Sequence, residues 1–114
     1  MRADEAALEQ AAPTIGRYMA YGDILCSEWP AAFEGSREPI AAEGSAPILV
    51  VGTTNDPATP YVWAQALAGE LSAGHLVTYD GEGHTAYNKS TSCVNDAVDA
   101  YLLEGTVPEV DPQC

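Results

Sequence analysis

Basic residues are nearly missing from this chain: four Lys and Arg stand against 17 Asp and Glu, a formal net charge of −13 over 114 residues. A surface so poor in cations does not attract the phosphates of nucleic acid or of anionic lipid, so neither is expected as a partner. The acidic excess serves solubility and does not by itself designate a cationic ligand. Long apolar runs are missing too. The longest is P-I-L-V-V at 47–51, well short of the ~18 residues that span a bilayer. Met1-Arg2 leads into Asp4 and Glu5 with no apolar stretch behind, which does not read as an export signal. There is no C-x-x-C pair, and His75 and His84 are the only histidines, so a structural zinc site is not expected. A metal site drawn from Asp56, His75 and His84 lacks any repeat of ligands at helical spacing. No cofactor is expected. What remains is ordinary globular composition, 46% hydrophobic and 18% charged, with room for one domain.

The three cysteines are Cys26, Cys93 and Cys114. Cys114 is the last residue, a poor place for a buried thiol and a reasonable one for a staple. A Cys93–Cys114 bridge would tie down the C-terminal tail and stabilise the fold by about 3 kcal/mol through loop closure. It would leave Cys26 odd, as a free thiol or a residue with a partner outside the chain. Disulfides would also imply an oxidising compartment.

Along the chain, residues 3–21 are Ala-rich and loosely helical, with a break at Pro13. C-S-E-W-P at 26–30 reads as a loop closed by proline, and residues 34–46 as a surface connection with two glycines and a proline. From Pro47 the signals sharpen. Ile48 to Val51 is the aliphatic, β-branched run of a strand buried on both faces. Residues 60–73 form a helix with Pro60 in or near its first turn and Val62, Ala66, Leu67 and Leu71 on one stripe. His75 to Tyr79 is a second strand. A last helix runs from about Ser92 to Leu103, with Val94, Ala97, Val98, Tyr101 and Leu102 on one face and Gly105 and Pro108 behind it. The fold class is therefore α/β, a β-α-β-α unit with parallel strands. Two parallel strands cannot bury both sheet faces or satisfy both edges. The sheet is incomplete, and upstream residues or another polypeptide must complete it.

Each strand runs into a Gly-containing turn that carries one ionisable side chain: Asp56 in V-V-G-T-T-N-D-P-A-T-P, and His84 in Y-D-G-E-G-H-T. Asp before Pro alone says turn, and a lone surface histidine says little. Together, at the carboxyl ends of successive strands where α/β folds place their ligands, they match the last two members of a serine-hydrolase triad. A carboxylate on Nδ1 fixes the tautomer and leaves Nε2 to take a proton from a nucleophile. His75, at a strand start, is structural or solvated. The expected nucleophile is missing: none of Ser27, Ser36, Ser45, Ser72, Ser90 and Ser92 has glycine at both −2 and +2, so no G-x-S-x-G elbow exists. Cys93, at a helix start with nothing placing it against His84, is a poor substitute.

The stretch from about Cys26 to Cys114 resembles the C-terminal region of the tripeptidyl aminopeptidase-like α/β-hydrolase serine peptidases of actinobacteria. The resemblance is carried by C-S-E-W-P at 26–30, P-I-L-V-V-G-T-T-N-D-P-A-T-P at 47–60, G-E-G-H-T at 81–85 and S-C-V-N-D-A-V-D-A-Y-L-L-E-G-T-V-P at 92–108 before Cys114. It implies that Asp56 is the catalytic acid and His84 the catalytic base, and that Cys93 pairs with Cys114. It also implies that residues 1–46 are a remnant of a cap or connecting region, helical and loop, and 47–114 the C-terminal portion of the hydrolase. Such enzymes are secreted or cell-surface proteins that release short peptides from substrate N-termini. The peptide would be a substrate only of the full-length enzyme, since serine and oxyanion hole lie upstream of this region in the family. The chain alone is therefore expected to be inactive. The alternative is a non-catalytic binding or assembly module that completes its sheet with a partner chain.

Overall fold

A computed structural model describes residues 2–20, 22, 26, 29–31, 35 and 38–114. The chain divides into two compact units, Met1–Arg37 and Glu38–Cys114. In the first, α1 (Arg2–Ala11) and α2 (Gly16–Met19) are separated by the turn at Pro13. Gly16 sits so close to α1 that a Cβ would overlap the carbonyl of Leu8. The expected helical piece ends before Tyr21, which lies outside the described residues, as do Ser27 and Glu28 of the C-S-E-W-P element. Cys26 is exposed and unpaired in a disulfide.

The second unit is built in the order β1 (Ile48–Asn55), α3 (Tyr61–Glu70), β2 (Gly74–Glu82) and α4 (Ser92–Glu104). The strands pair in parallel, from Ile48 opposite Gly74 to Thr53 opposite Tyr79, then through an irregularity to Asn55 opposite Glu82. The Thr54 side chain fills that irregularity. Its hydroxyl donates to Asp80 at 2.9 Å and accepts from the Gly81 N–H at 3.1 Å. A parallel pair joined by a helix must end both strands at the same sheet margin, and Asp56 and His84 follow those two ends.

Both strands run further than their apolar cores indicate, because Gly52 and Gly81 lie within them. Gly52 is a close-approach position, not a turn: a Cβ there would come within 2.8 Å of Ala64 and the Tyr61 ring. The same tight seam places α3 differently from its sequence pattern. Val62 and Leu67 of the expected stripe are exposed, as is Trp63, and no residue of α3 is fully buried. The helix instead approaches the sheet through Tyr61, Ala64 and Ala68, each partly covered. A Cβ on Gly74 would overlap the Ala68 carbonyl. Small residues let the backbones approach, and the larger apolar side chains are left outside.

On the other sheet face, α4 supplies the core. Val77, Ala86, Val94 and Val98 are buried together, with Leu49, Val51, Tyr79, Ala97 and Cys114 packed against them. Leu102, expected on this face, is exposed. Thr91 caps the start of α4 by accepting from the Val94 N–H, and Gly105 ends it in the left-handed region at φ 69°. The Tyr101 hydroxyl donates to the Pro47 carbonyl at 3.0 Å and ties α4 to the entry of β1.

The two sheet edges are treated differently. The outer edge of β2 is covered by the C-terminal tail: the Thr78 N–H donates to the Pro112 carbonyl at 3.0 Å, and the Cys114 N–H to the Thr78 carbonyl at 2.7 Å. The Gln113 amide adds a 3.2 Å bond to the Thr78 hydroxyl, which also meets the Tyr61 hydroxyl at 2.6 Å. Cys114 is bridged to Cys93 in the first turn of α4, the pairing expected from sequence. His75 approaches Asp111 at 3.6 Å and adds a weak tie between β2 and the tail. β1, by contrast, pairs with no strand but β2 among the described residues. No described helix is long and apolar enough to cross a membrane.

Because the bridge closes a loop of 21 residues, replacing Cys93 and Cys114 together by alanine is expected to lower stability by about 3 kcal/mol. It should also expose the Thr78 amide to solvent exchange. Urea denaturation and amide hydrogen exchange check the two effects separately.

Candidate active site

The site begins with a carboxylate whose acceptor positions are all in use. After β1 the chain turns through Asp56-Pro57, and the Asp56 side chain folds back on the turn. Its Oδ1 accepts the N–H groups of Ala58 at 2.8 Å and Thr59 at 2.9 Å, and its Oδ2 accepts the Thr59 hydroxyl at 2.8 Å. This is the local side-chain-to-backbone bonding that favours Asp at turns. The carboxylate then reaches 28 residues along the chain to His84, whose Nδ1 lies 3.0 Å from both carboxylate oxygens. The Asp56 side chain is 4% exposed and the His84 side chain 52%.

His84 is held by a turn with two unusual backbone positions. Gly83 has φ 106° and Thr85 φ 64°. The first suits glycine. The second is costly for a β-branched residue, and it aims the Thr85 N–H at Asp56 Oδ2, 3.4 Å away. Lys89 steadies the same residue by donating to the Thr85 hydroxyl at 3.0 Å. The segment is pinned to α4 as well. The Tyr87 hydroxyl donates to Asp99 at 2.6 Å, and the Asn88 N–H to the Asn95 side chain at 2.8 Å. The bond to Asp99, with burial and its negative charge behind it, raises the Tyr87 pKa.

Burial alone would raise the Asp56 pKa. It is overridden by the N–H groups of Thr59 and Ala58, the Thr59 hydroxyl and His84, which together hold this carboxyl well below the usual carboxylate range. Asp56 is thus a committed anion at neutral pH. It orients the imidazole through Nδ1, while Nε2 has no partner among the described residues. Thr59 stands beside both groups, its hydroxyl oxygen 3.5 Å from His84 Nδ1.

Of the residues singled out from sequence, Asp56 and His84 are brought together, and His75 is not: it lies at the start of β2 against Asp111. Cys93 is consumed in the disulfide. Among the serines, Ser72 bonds the Ala42 carbonyl and Ser90 the Ala86 carbonyl, while Ser27 and Ser36 lie outside the described residues. No group of three metal-ligating side chains occurs among the described residues. Thr59 and Thr85 were not legible as site residues. The only sequence signal for Thr59 is its place three residues after an Asp in a turn, where side-chain capping is common.

Residues 12–114 match the family described as TAP-like protein. The chain is 36% identical over 115 residues to carboxylesterase B of Mycobacterium tuberculosis, an alignment covering 95% of this chain and 22% of that protein. It is 36% identical over 113 residues to serine protease Hip1 of the same organism, covering 93% and 22%. With tripeptidyl aminopeptidase of Streptomyces lividans the identity is 31% over 96 residues, covering 83% and 18%. The chain therefore spans about a fifth of the length of these relatives and corresponds to their C-terminal portion.

A group whose folded pKa is depressed adds stability above its unfolded value, and that stability is lost as pH falls through the folded value. For Asp56 the loss begins below its ordinary 3.8. Acid unfolding of the Asp56→Asn variant should accordingly be flatter below pH 3.8 than that of the parent chain. In Thr59→Val, which removes one donor, the Asp56 carboxyl should titrate at higher pH than in the parent, as followed by its carbon-13 resonance.

Proposed function

The chain belongs to the TAP-like family of α/β-hydrolases, and from that premise we propose that it supplies the acid and the base of a serine-hydrolase triad, Asp56 and His84. The observation that carries this reading is the 3.0 Å pairing of His84 Nδ1 with Asp56 at the carboxyl ends of two parallel strands. In the reaction, a serine Oγ attacks the substrate carbonyl while His84 Nε2 takes its proton. The resulting imidazolium is held by Asp56, and the proton then passes to the leaving amine or alkoxide as the acyl bond breaks. Water repeats the sequence on the acyl-enzyme and regenerates the serine. That serine and the oxyanion-hole donors come from polypeptide other than residues 1–114, where no G-x-S-x-G occurs.

Relatives named as a tripeptidyl aminopeptidase, a serine protease and a carboxylesterase support acyl transfer from peptides or esters as the reaction class, with peptides released from substrate N-termini as the specific activity. Residues 1–46 are assigned to a cap or connecting remnant and 47–114 to the hydrolase portion. The Cys93–Cys114 bridge suits a secreted or cell-surface setting. A non-catalytic module that completes a partner's sheet is the competing reading, favoured by the open edge of β1. Such a module has no need of a buried carboxylate saturated with donors and aimed at an imidazole, so the site favours the hydrolase.

Complementation tests this. Streptomyces lividans tripeptidyl aminopeptidase, truncated of the stretch that this chain matches, is mixed or co-expressed with the chain and assayed on a tripeptidyl anilide. Turnover is expected only with both parts present, and His84→Ala should lower it by at least about a thousandfold. Turnover by the isolated chain that vanishes in His84→Ala would place the nucleophile within these 114 residues and overturn the proposal. So would complementation indifferent to His84.

A further inference from the structure

Among the described residues, Thr59 and His84 are the two that bond both oxygens of the Asp56 carboxylate. The Thr59 N–H donates to Oδ1 at 2.9 Å and its hydroxyl to Oδ2 at 2.8 Å. Oδ1 also takes the Ala58 N–H at 2.8 Å, while Oδ2 otherwise takes the Thr85 N–H at 3.4 Å. His84 Nδ1 lies 3.0 Å from each oxygen, so a proton on Nδ1 is shared between the two and not held by one. A free carboxylate would not present itself so evenly, because rotation about its terminal sp³–sp² bond is soft. The sequence puts a stiff residue at this point. Thr is β-branched, with few χ1 choices, and Pro60 behind it restricts the Thr59 backbone to extended conformations. Its hydroxyl oxygen also stands 3.5 Å from His84 Nδ1. Since its proton is committed to the carboxylate, that oxygen faces the ring as an acceptor.

We infer that Thr59 is a positioning residue of the reaction: its hydroxyl fixes the plane of the Asp56 carboxylate, so that the His84 ring is centred between the two oxygens. The inference rests on the proposed triad. The competing view is that the hydroxyl only finishes the turn after β1. That turn already has two backbone donors, from Ala58 and Thr59, and both go to Oδ1. The hydroxyl goes to the other oxygen, the one that His84 and Thr85 also reach. Nor is the bond needed to satisfy a buried hydroxyl, since Thr59 is exposed and water would serve as a partner. Without the hydroxyl, Oδ2 keeps one long donor and takes the ring proton for itself. The shared bond becomes a single, shorter one. The imidazole then moves sideways by up to about 1 Å, half the span of a carboxylate, which is enough to take Nε2 off a nucleophile.

Nitrogen NMR on the labelled full chain tests this. The probe is the Nδ1 resonance of the neutral His84 ring, read by long-range correlation, which needs no slowly exchanging proton. A shorter bond to one oxygen moves Nδ1 downfield. Thr59→Val and Thr59→Ala both keep the backbone donor and should show that shift, and Thr59→Ser should restore the parent position. In the Asp56→Asn background, Thr59→Val should change nothing further, because the hydroxyl acts through the carboxylate. Thr59 is exposed, so circular dichroism should report these chains folded. In the complemented hydrolase, Thr59→Val should lower kcat by about tenfold or more with KM unchanged. Three outcomes overturn the inference: an Nδ1 resonance unmoved by both Thr59→Val and Thr59→Ala, a Thr59→Ser chain no closer to the parent than Thr59→Val, or a shift that persists in the Asp56→Asn background. The shift without His84-dependent turnover would sink the triad and leave the clamp on the carboxylate standing. His84-dependent turnover with an unmoved resonance would sink the clamp and leave the triad.

Discussion

The parallel pairing of β1 with β2 is the constraint from which the rest of this unit follows. Parallel neighbours require a crossover, here α3, and the crossover returns the chain so that both strands end at the same margin. Asp56 and His84 are 28 residues apart in sequence, and this pairing makes them neighbours. The irregularity at Thr54, filled by its own hydroxyl, sets the final offset that brings Asn55 level with Glu82. The acid is then fixed by its own turn and the imidazole by a turn strained at Thr85. The site depends on two short, rigid strand exits and not on the bulk of the core.

That economy leaves the sheet with an asymmetry. One edge is closed by a tail that the Cys93–Cys114 bridge holds in register with Thr78. The other edge meets no strand among the described residues, and Trp63 and Leu67 border the same cavity as β1. α3 carries Val62, Trp63 and Leu67 on its exposed side, and its small-residue seam against Gly52 and Gly74 shows which side already has its partner. Asp56 lines the same cavity as Val50 to Thr53 of β1, so the site lies beside the strand whose second edge has no partner among the described residues.

Much of this was legible in the sequence because the signals were local. The aliphatic run at 48–51, the helix entered at Pro60 and the Gly-flanked His84 each report a single element, and Cys114 at the chain's end announced a tether. What was not legible depends on contacts distant in sequence. Gly52 reads as a turn from its neighbours and is a strand residue because Ala64 and Tyr61 crowd it. The face that α3 presents to the sheet follows from that crowding, against its hydrophobic pattern. Thr59 and Thr85 became site residues only when Asp56 was seen to collect their donors, since neither residue type marks a site by itself.

The most direct test of the account is the tautomer of the neutral His84 ring, read by long-range proton–nitrogen correlation on the labelled chain. The Asp56 carboxylate should hold the proton on Nδ1 and leave Nε2 bare, and Asp56→Asn should release that preference. A ring protonated at Nε2, or one whose tautomer does not respond to Asp56→Asn, would contradict the claim that these two residues form a preassembled acid–base pair.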